Sequence, residues 1–401
     1  METTTYKISD IGEVVGGGTP STANSDFWGG DIPWISPKDL TGYKSVYISH
    51  GENFLTKTGL KSGTKLLPKG TVLFSSRAPI GYVAIASNPI CTNQGFKSII
   101  CNKEIINPLF LYYYIKGNLD YIKLFGTGAT FPEISGAAMR KIKVQIPSIP
   151  TQQKIASILS AYDRLIENNT RRIRLLEQMA ENLYKEWFVR FRFPKHENVE
   201  MINGLPKGWK IKIIADFGRI ETGKTPPMSN RDLYGGDILF VKTPDMHGKM
   251  FVRSTSETLS QEGNNYQRTK LLPINSIMVS CIGTAGVVSI NTNLAHTNQQ
   301  INSIILNNLE DLEWLYYACR QLKPTIELFG ATGATMTNLS KGKFEKLKIV
   351  VPKVDFRGAF HKRIRPYFKE IYALEQQNTL LTRQRDLLLP RLMSGKLEVK
   401  S

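Results

Sequence analysis

The sequence predicts an α+β chain built twice over: two tandem, pseudo-symmetric globules separated by two long helices that form an antiparallel coiled coil. Three observations carry this. Between Thr151 and Phe188 apolar residues fall at Ile155, Leu159, Tyr162, Ile166, Ile173, Leu176, Ala180, Leu183 and Trp187, with Asn169 filling the one gap. That 4, 3 spacing is a coiled-coil seam. The segments flanking it repeat one another at a nearly constant offset. Adding that offset to the seam produces a second one: Phe360, Ile364, Tyr367, Ile371, Leu374, Asn378, Leu381, Arg385, Leu388 and Leu392.

The N-terminal segment alternates short β-like runs with turn signals. Gly16 to Pro20 is a turn, and Asp31–Ile35 reads as a strand ending in a polar loop, Ser36-Pro-Lys38-Asp39. Thr71–Phe74, Gly81–Ala86 and Phe96–Ile100 read as further strands, with Ser75-Ser76-Arg77 and Thr92-Asn93-Gln94 between them. Pro108–Leu119 has helical spacing and many aromatics, and a small-residue loop at Gly126–Thr130 precedes a last strand near Ile142–Ile146. Pro150 and Pro194 bracket the first rod, which at helical rise is roughly 57 Å long. Pro and Gly in Phe191–Glu197 and Gly204–Trp209 mark a linker. The expected segments are 1–150, 151–193, 194–352 and 353–401.

The duplication is explicit. Thr19-Pro20 matches Thr225-Pro226, Trp28-Gly-Gly-Asp31 matches Tyr234-Gly-Gly-Asp237, and Asp39 matches Asp245, each 206 residues on. Thr92-Asn-Gln94 matches Thr297-Asn-Gln299 and Thr127-Gly-Ala-Thr130 matches Thr332-Gly-Ala-Thr335, each 205 on. A period this long describes two domains, not a solenoid. Two matching stripes should pack on each other. An antiparallel register that sets Ile155 against Leu392 puts Ile166 opposite Leu381, Ile173 opposite Leu374, Trp187 opposite Phe360, and Asn169 opposite Asn378. A seam Asn commonly fixes register. Pro366 and Pro390 are expected to bend the second rod.

At 41% hydrophobic and 21% charged residues, the composition is that of an ordinary globular chain. No apolar run is long enough to span a membrane, so no membrane partner is expected. Four scattered cysteines without a C-x-x-C, and no signal-like N-terminus, suggest reduced thiols and a cytoplasm. The net charge of +18 favours a polyanionic partner, nucleic acid above all.

Catalytic patterns are scarce. Gly218–Thr225 fits the phosphate-loop pattern, but Pro226-Pro227 opposes the helix such a loop needs, and the other copy has Gly18 where Lys224 stands. His50, His196, His247, His296 and His361 are isolated. The cluster Phe110, Tyr112, Tyr113 and Tyr114, echoed by Trp314, Tyr316 and Tyr317, reads as core rather than as a base-stacking platform. The recognition candidates are the polar loops, because they recur with different residues: Ser36 and Lys38 against Lys242 and Thr243, Ser76 and Arg77 against Cys281 and Ile282, Gln94-Gly95 against Gln299-Gln300. Asn93, Asn298, Thr127, Thr130, Thr332 and Thr335 complete the set. Arg and Lys read guanine edges; Asn and Gln read adenine.

The ordered set of G-x-T-P, G-G-D, T-N-Q and T-G-A-T segments with two rods resembles the specificity (S) subunit of type I restriction–modification systems. Gly204–Trp209 and Leu388–Gly395 look like that family's segments opening the second recognition domain and closing the chain. The resemblance implies that each globule is a target-recognition domain reading one half of a split double-stranded DNA sequence, with the rods as spacer. It implies two modification (methyltransferase) subunits using S-adenosylmethionine and restriction (translocase/nuclease) subunits using ATP and Mg2+. This chain itself would hold no cofactor, no metal and no catalytic residue. An independent methyltransferase or nuclease, and a scaffold that binds no DNA, are the competing readings.

Overall fold

The computed structural model describes residues 2–128, 130, 132–330 and 338–399, so Thr332 and Thr335 lie outside the described residues. The chain forms two compact units, Met1–Arg171 with Gln376–Ser401, and Arg172–Glu375. Each contains one globule and a stretch of both long helices.

In the first unit a five-stranded sheet runs in the spatial order Gly12–Gly16, Lys97–Cys101, Val72–Phe74, Val83–Ala86, Tyr47–Ile48. A three-stranded sheet has Trp28–Ile35 between Asn53–Leu55 and Cys91–Thr92, and Thr4–Lys7 pairs with Lys143–Ile146. The second unit repeats this order: Gly218–Thr222, Ile301–Leu306, Ile277–Ser280, Val288–Asn291, Phe251–Val252. Tyr234–Val241 then sits between Glu257–Leu259 and Ala295–Thr297, and Lys210–Ile213 pairs with Lys348–Val351. Even the register is repeated, with Val72 opposite Ile99 and Ile277 opposite Ile304.

The Gly-Gly-Asp repeat has a structural cause. Trp28 and Ile32 both pair with Leu55, and Tyr234 and Ile238 both pair with Leu259, so each strand carries a bulge. Gly29 (φ 80°) and Gly235 (φ 87°) take the left-handed backbone that the bulge requires.

Helix Pro108–Gly117 starts at Asn107, whose Oδ1 accepts from the amides of Leu109 and Phe110. Phe110, Tyr112, Tyr113 and Tyr114 are buried, as are Trp314, Tyr316 and Tyr317, which makes both aromatic clusters core. The central helix spans Ile149–Tyr184, with Pro150 in its first turn, and continues as a π-helical turn over Lys185–Val189. The C-terminal helix spans Val354–Met393 and stays helical through Pro366 and Pro390. Among the described residues no helix is long and apolar enough to cross a membrane.

In both units the helices run antiparallel. In the first, Ile155, Leu159 and Leu392 are buried, with Tyr162, Ile166, Leu381 and Leu388 half-buried beside them. Asn169 Nδ2 donates to Asn378 Oδ1 at 3.0 Å and to Gln377 Oε1 at 2.8 Å, the contact that the register through Ile155 and Leu392 calls for. Asp163 on one helix accepts from Arg385 on the other and from the Tyr113 hydroxyl. In the second unit Trp187, Phe360, Ile364, Ile371 and Leu374 are buried and Ile173, Leu176, Leu183 and Tyr367 half-buried. There Arg172 pairs with Glu370 at 2.6 Å. Full burial of a residue such as Phe360 contributes about 1.5–3 kcal/mol.

One local expectation, about the polar loops, differs from the outcome. Pro37–Leu40 and Thr243–Met246 are helical turns, not loops, because Asp39 accepts from the amide of the capping Ser36 (2.8 Å) and Asp245 from that of the capping Lys242 (2.9 Å). As Pro226-Pro227 predicts, no helix begins at Lys224, and residues Gly218–Thr222 of the phosphate-loop match form a strand paired with Ile301–Leu306. The linker is packed: Phe193 and Trp209 stack at 5.2 Å inside the second unit's core.

Candidate nucleic-acid interface

In the first unit the fold gathers four of the nominated loops around Gly95. The backbone of Gly95 donates to Asn93 Oδ1 (2.9 Å) and accepts from the Ser76 amide (2.7 Å). A side chain at Gly95 would touch Pro37 and Arg77. Ile134 donates to the Ser76 carbonyl, and Thr127 bridges to Glu133 through paired backbone bonds of 3.0 and 2.9 Å. Glu133 is the electrostatic hub, meeting Arg77 at 3.4 Å and Lys97 at 3.2 Å. Lys38 is exposed and pairs with Glu52 at 3.0 Å, which raises its pKa.

The second unit builds the same scaffold with other side chains. The Cys281 amide donates to the Gln300 carbonyl at 2.7 Å, as Ser76 does to Gly95, and the Gln300 amide donates to Asn298 Oδ1 at 3.2 Å. Leu339 donates to Cys281, matching Ile134 and Ser76. Lys242 takes over the role of Lys38, reaching Glu257 at 2.6 Å. Thr243 Oγ1 and Asn298 Nδ2 both donate to Gln300 Oε1, at 3.3 and 3.1 Å. Lys224 lies over the ring of Tyr266, 4.9 Å from its centroid.

Within these clusters, side chains divide into inner and outer sets. Ser76, Thr243 and Asn298 are buried, and their polar atoms hold the turns together. Lys38, Gln94, Thr127, Thr130 and Gln299 are exposed; Ser36, Arg77, Asn93, Lys242 and Gln300 are half-buried. The outer set therefore offers amide and hydroxyl groups with Lys38 and Arg77 in the first unit, and amide groups with Lys242 in the second. Such a surface can bind phosphates and read base edges.

Sequence reasoning missed the partners that position this set: Glu133, Lys97, Glu52 and Glu257, and above all Thr19 and Thr225. The Thr19 hydroxyl donates to Gln94 Oε1, and Thr225 Oγ1 donates to Gln299 Oε1 at 2.7 Å. The signal was present in the repeated Thr-Pro pairs, which read only as turns. Among the described residues no three His, Cys, Asp or Glu side chains gather to hold a metal ion. His296, buried beside Asn264 at 2.9 Å, is pushed down to about 4 by desolvation.

Comparison with known proteins agrees with this doubled architecture. The family model for the type I restriction modification DNA specificity domain matches residues 1–178 and again 206–381. The type I restriction enzyme MjaIX specificity subunit of Methanocaldococcus jannaschii is 36% identical, the match covering 98% of this chain and 93% of that one. The HindI specificity subunit of Haemophilus influenzae is 33% identical over 83% of this chain and 88% of its own. The crystal structure of the S subunit of a type I restriction–modification system from M. genitalium shares the fold, with a TM-score of 0.66 at 15% identity, over 100% of this chain and 97% of that one. By both measures of sequence, the chain belongs to the type I restriction–modification DNA specificity family.

Proposed function

We propose that this chain is the DNA-reading subunit of a type I restriction–modification complex, with one globule for each half of a split target and no catalysis of its own. The observation that carries the reading is the pair of polar clusters. One scaffold occurs twice, and its outward side chains differ between copies, as two readers of different short sequences require. The excess of positive charge over the whole chain suits a DNA partner. In this reading residues 1–150 and 194–352 hold the two target-recognition domains, and the helical segments 151–193 and 353–401 form the spacer.

The partners that follow are double-stranded DNA, two modification subunits carrying S-adenosylmethionine, and restriction subunits carrying ATP and Mg2+, in a prokaryotic cytoplasm. The DNA-facing candidates are the exposed and half-buried side chains of the two clusters, with Arg77 suited to a guanine edge.

Expression with its modification subunit in cells lacking other methylation, followed by methylome sequencing, tests the function. One bipartite motif should appear, and Arg77→Ala should relax one half of it only. Loss of specificity in both halves would contradict independent readers, and methylation by the chain alone would make it an enzyme.

A further inference from the structure

The two clusters differ at most outward positions, yet one pairing is the same in both. Thr19 donates its hydroxyl to Gln94, and Thr225 donates to Gln299. The two segments are also pinned by backbone. Gly18 donates to the Thr92 carbonyl at 2.8 Å and Lys224 to the Thr297 carbonyl at 2.9 Å. A side chain at Gly17 or Gly223 would collide with the T-N-Q turn, at 1.9 Å from Asn93 O and 2.1 Å from Thr297 O. Each glutamine is therefore held against a fixed wall.

Within the turn, two of the three residues are explained by the fold. Thr92 and Thr297 are buried, and Asn93 and Asn298 close the turn by accepting from the amide two residues on. The glutamines are exposed, and nothing in the turn needs an amide there. The copies have meanwhile diverged around them, with Gly95 against Gln300, Arg77 against Ile282 and Ser36 against Lys242. A side chain kept while its neighbours change meets something that both DNA halves share. What any two sequences share is the sugar–phosphate backbone.

The chemistry of the clasp points the same way. The threonine hydroxyl donates to the carbonyl end of the amide, so the end that the clasp does not use is Nε2, a donor. Adenine presents a donor and an acceptor together, whereas a phosphate oxygen only accepts. We infer that Gln94 and Gln299 are equivalent phosphate contacts that set each globule's register on DNA, and that Thr19 and Thr225 are their positioning residues. This rests on the DNA-reading function proposed above.

The test uses the chain assembled with its modification subunit and a duplex carrying the motif found by methylome sequencing, beside a scrambled duplex. Gln94→Ala and Gln299→Ala should each weaken binding roughly ten- to a hundredfold, the size expected for one hydrogen bond to a charged group. The loss should be equal on both duplexes, with the methylated motif unchanged. The salt dependence should also stay unchanged, because a neutral donor releases no counterion. Thr19→Val should reproduce part of the Gln94→Ala loss and Thr19→Ser should restore binding; a purely structural threonine would leave affinity unmoved while lowering the melting temperature. Unaltered affinity in both alanine variants, or relaxation of one motif position, overturns the assignment while leaving the DNA-reading function intact. If the wild-type assembly shows no preference for any duplex, the function itself fails.

Discussion

Asp163 and Arg385 meet where the two long helices of the first unit pass each other, and the site is nearly dry: their side chains are 8% and 15% exposed. The carboxylate is satisfied by Arg385 and the Tyr113 hydroxyl. Arg385→Met leaves that carboxylate with one neutral donor in a buried setting. Breaking one partner of a buried pair costs about 3–5 kcal/mol. The lower end applies here, since Tyr113 remains and Arg385 also holds the exposed Asp386 at 2.8 Å. Removing both charges is a different perturbation. The second unit has Phe368 and Ala180 at the equivalent positions, both buried, so an apolar solution of this helix crossing already exists. Asp163→Leu combined with Arg385→Met should therefore lose no more than about 1–2 kcal/mol. Hydrogen exchange read on the helix Pro108–Gly117 reports the opening free energy of this unit. A loss below about 1 kcal/mol in Arg385→Met, or a double variant as unstable as the single one, would refute the reasoning.

Other outcomes follow from the same structure. His296 is held neutral with a pKa near 4 against 6.5 when free, so its contribution is present above pH 6.5 and lost as pH falls toward 4. The second unit should loosen over that window, and His296→Gln should flatten the slope in an exchange profile. Glu375 is raised to about 7 by burial and by Glu177 beside it, so its stabilising protonated form is present at low pH and lost as pH rises from 4.5 through 7. Glu375→Gln should raise the melting temperature at pH 8 and change little at pH 4; equal effects at both would be inconsistent with this. Asn169→Leu with Asn378→Leu should raise thermal stability while allowing slipped or self-associated forms, visible by light scattering. Inserting seven residues after Arg171 and seven after Glu375 adds about 10 Å of helix, so the motif's spacer should grow by about 3 base pairs; an unchanged spacer sinks the ruler idea.

What the sequence disclosed was whatever repeats. Heptad spacing located both helices, and the offset between Gly-Gly-Asp copies located both globules, because bulges and seams depend on residue types at short, regular distances. Pairings across long separations were hidden. Arg385 stands as a lone charge in an apolar stripe, and its partner Asp163 lies 222 residues away in sequence. Thr19 looked like turn punctuation until Gln94 stood beside it, 75 residues on. Ser36–Asp39 read as a loop because a helical turn closed by one carboxylate has no periodicity to detect. Burial was equally invisible: Ser76 and Arg77 are neighbours in sequence, yet one faces the interior and the other the rim.

The division of the chain into units has a consequence for biosynthesis. The second unit, Arg172–Glu375, is one uninterrupted stretch, whereas the first needs Gln376–Ser401 to complete its core, where Leu392 and Met393 pack with Ile155 and Leu159. At about 5–20 residues per second, the ribosome delivers that last helix some 10–50 seconds after the first globule has emerged. The part made first is thus finished last, and a chain cut short in translation lacks Leu392 and Met393 from the core of its first unit. Completion of one reader reports that the other has been made.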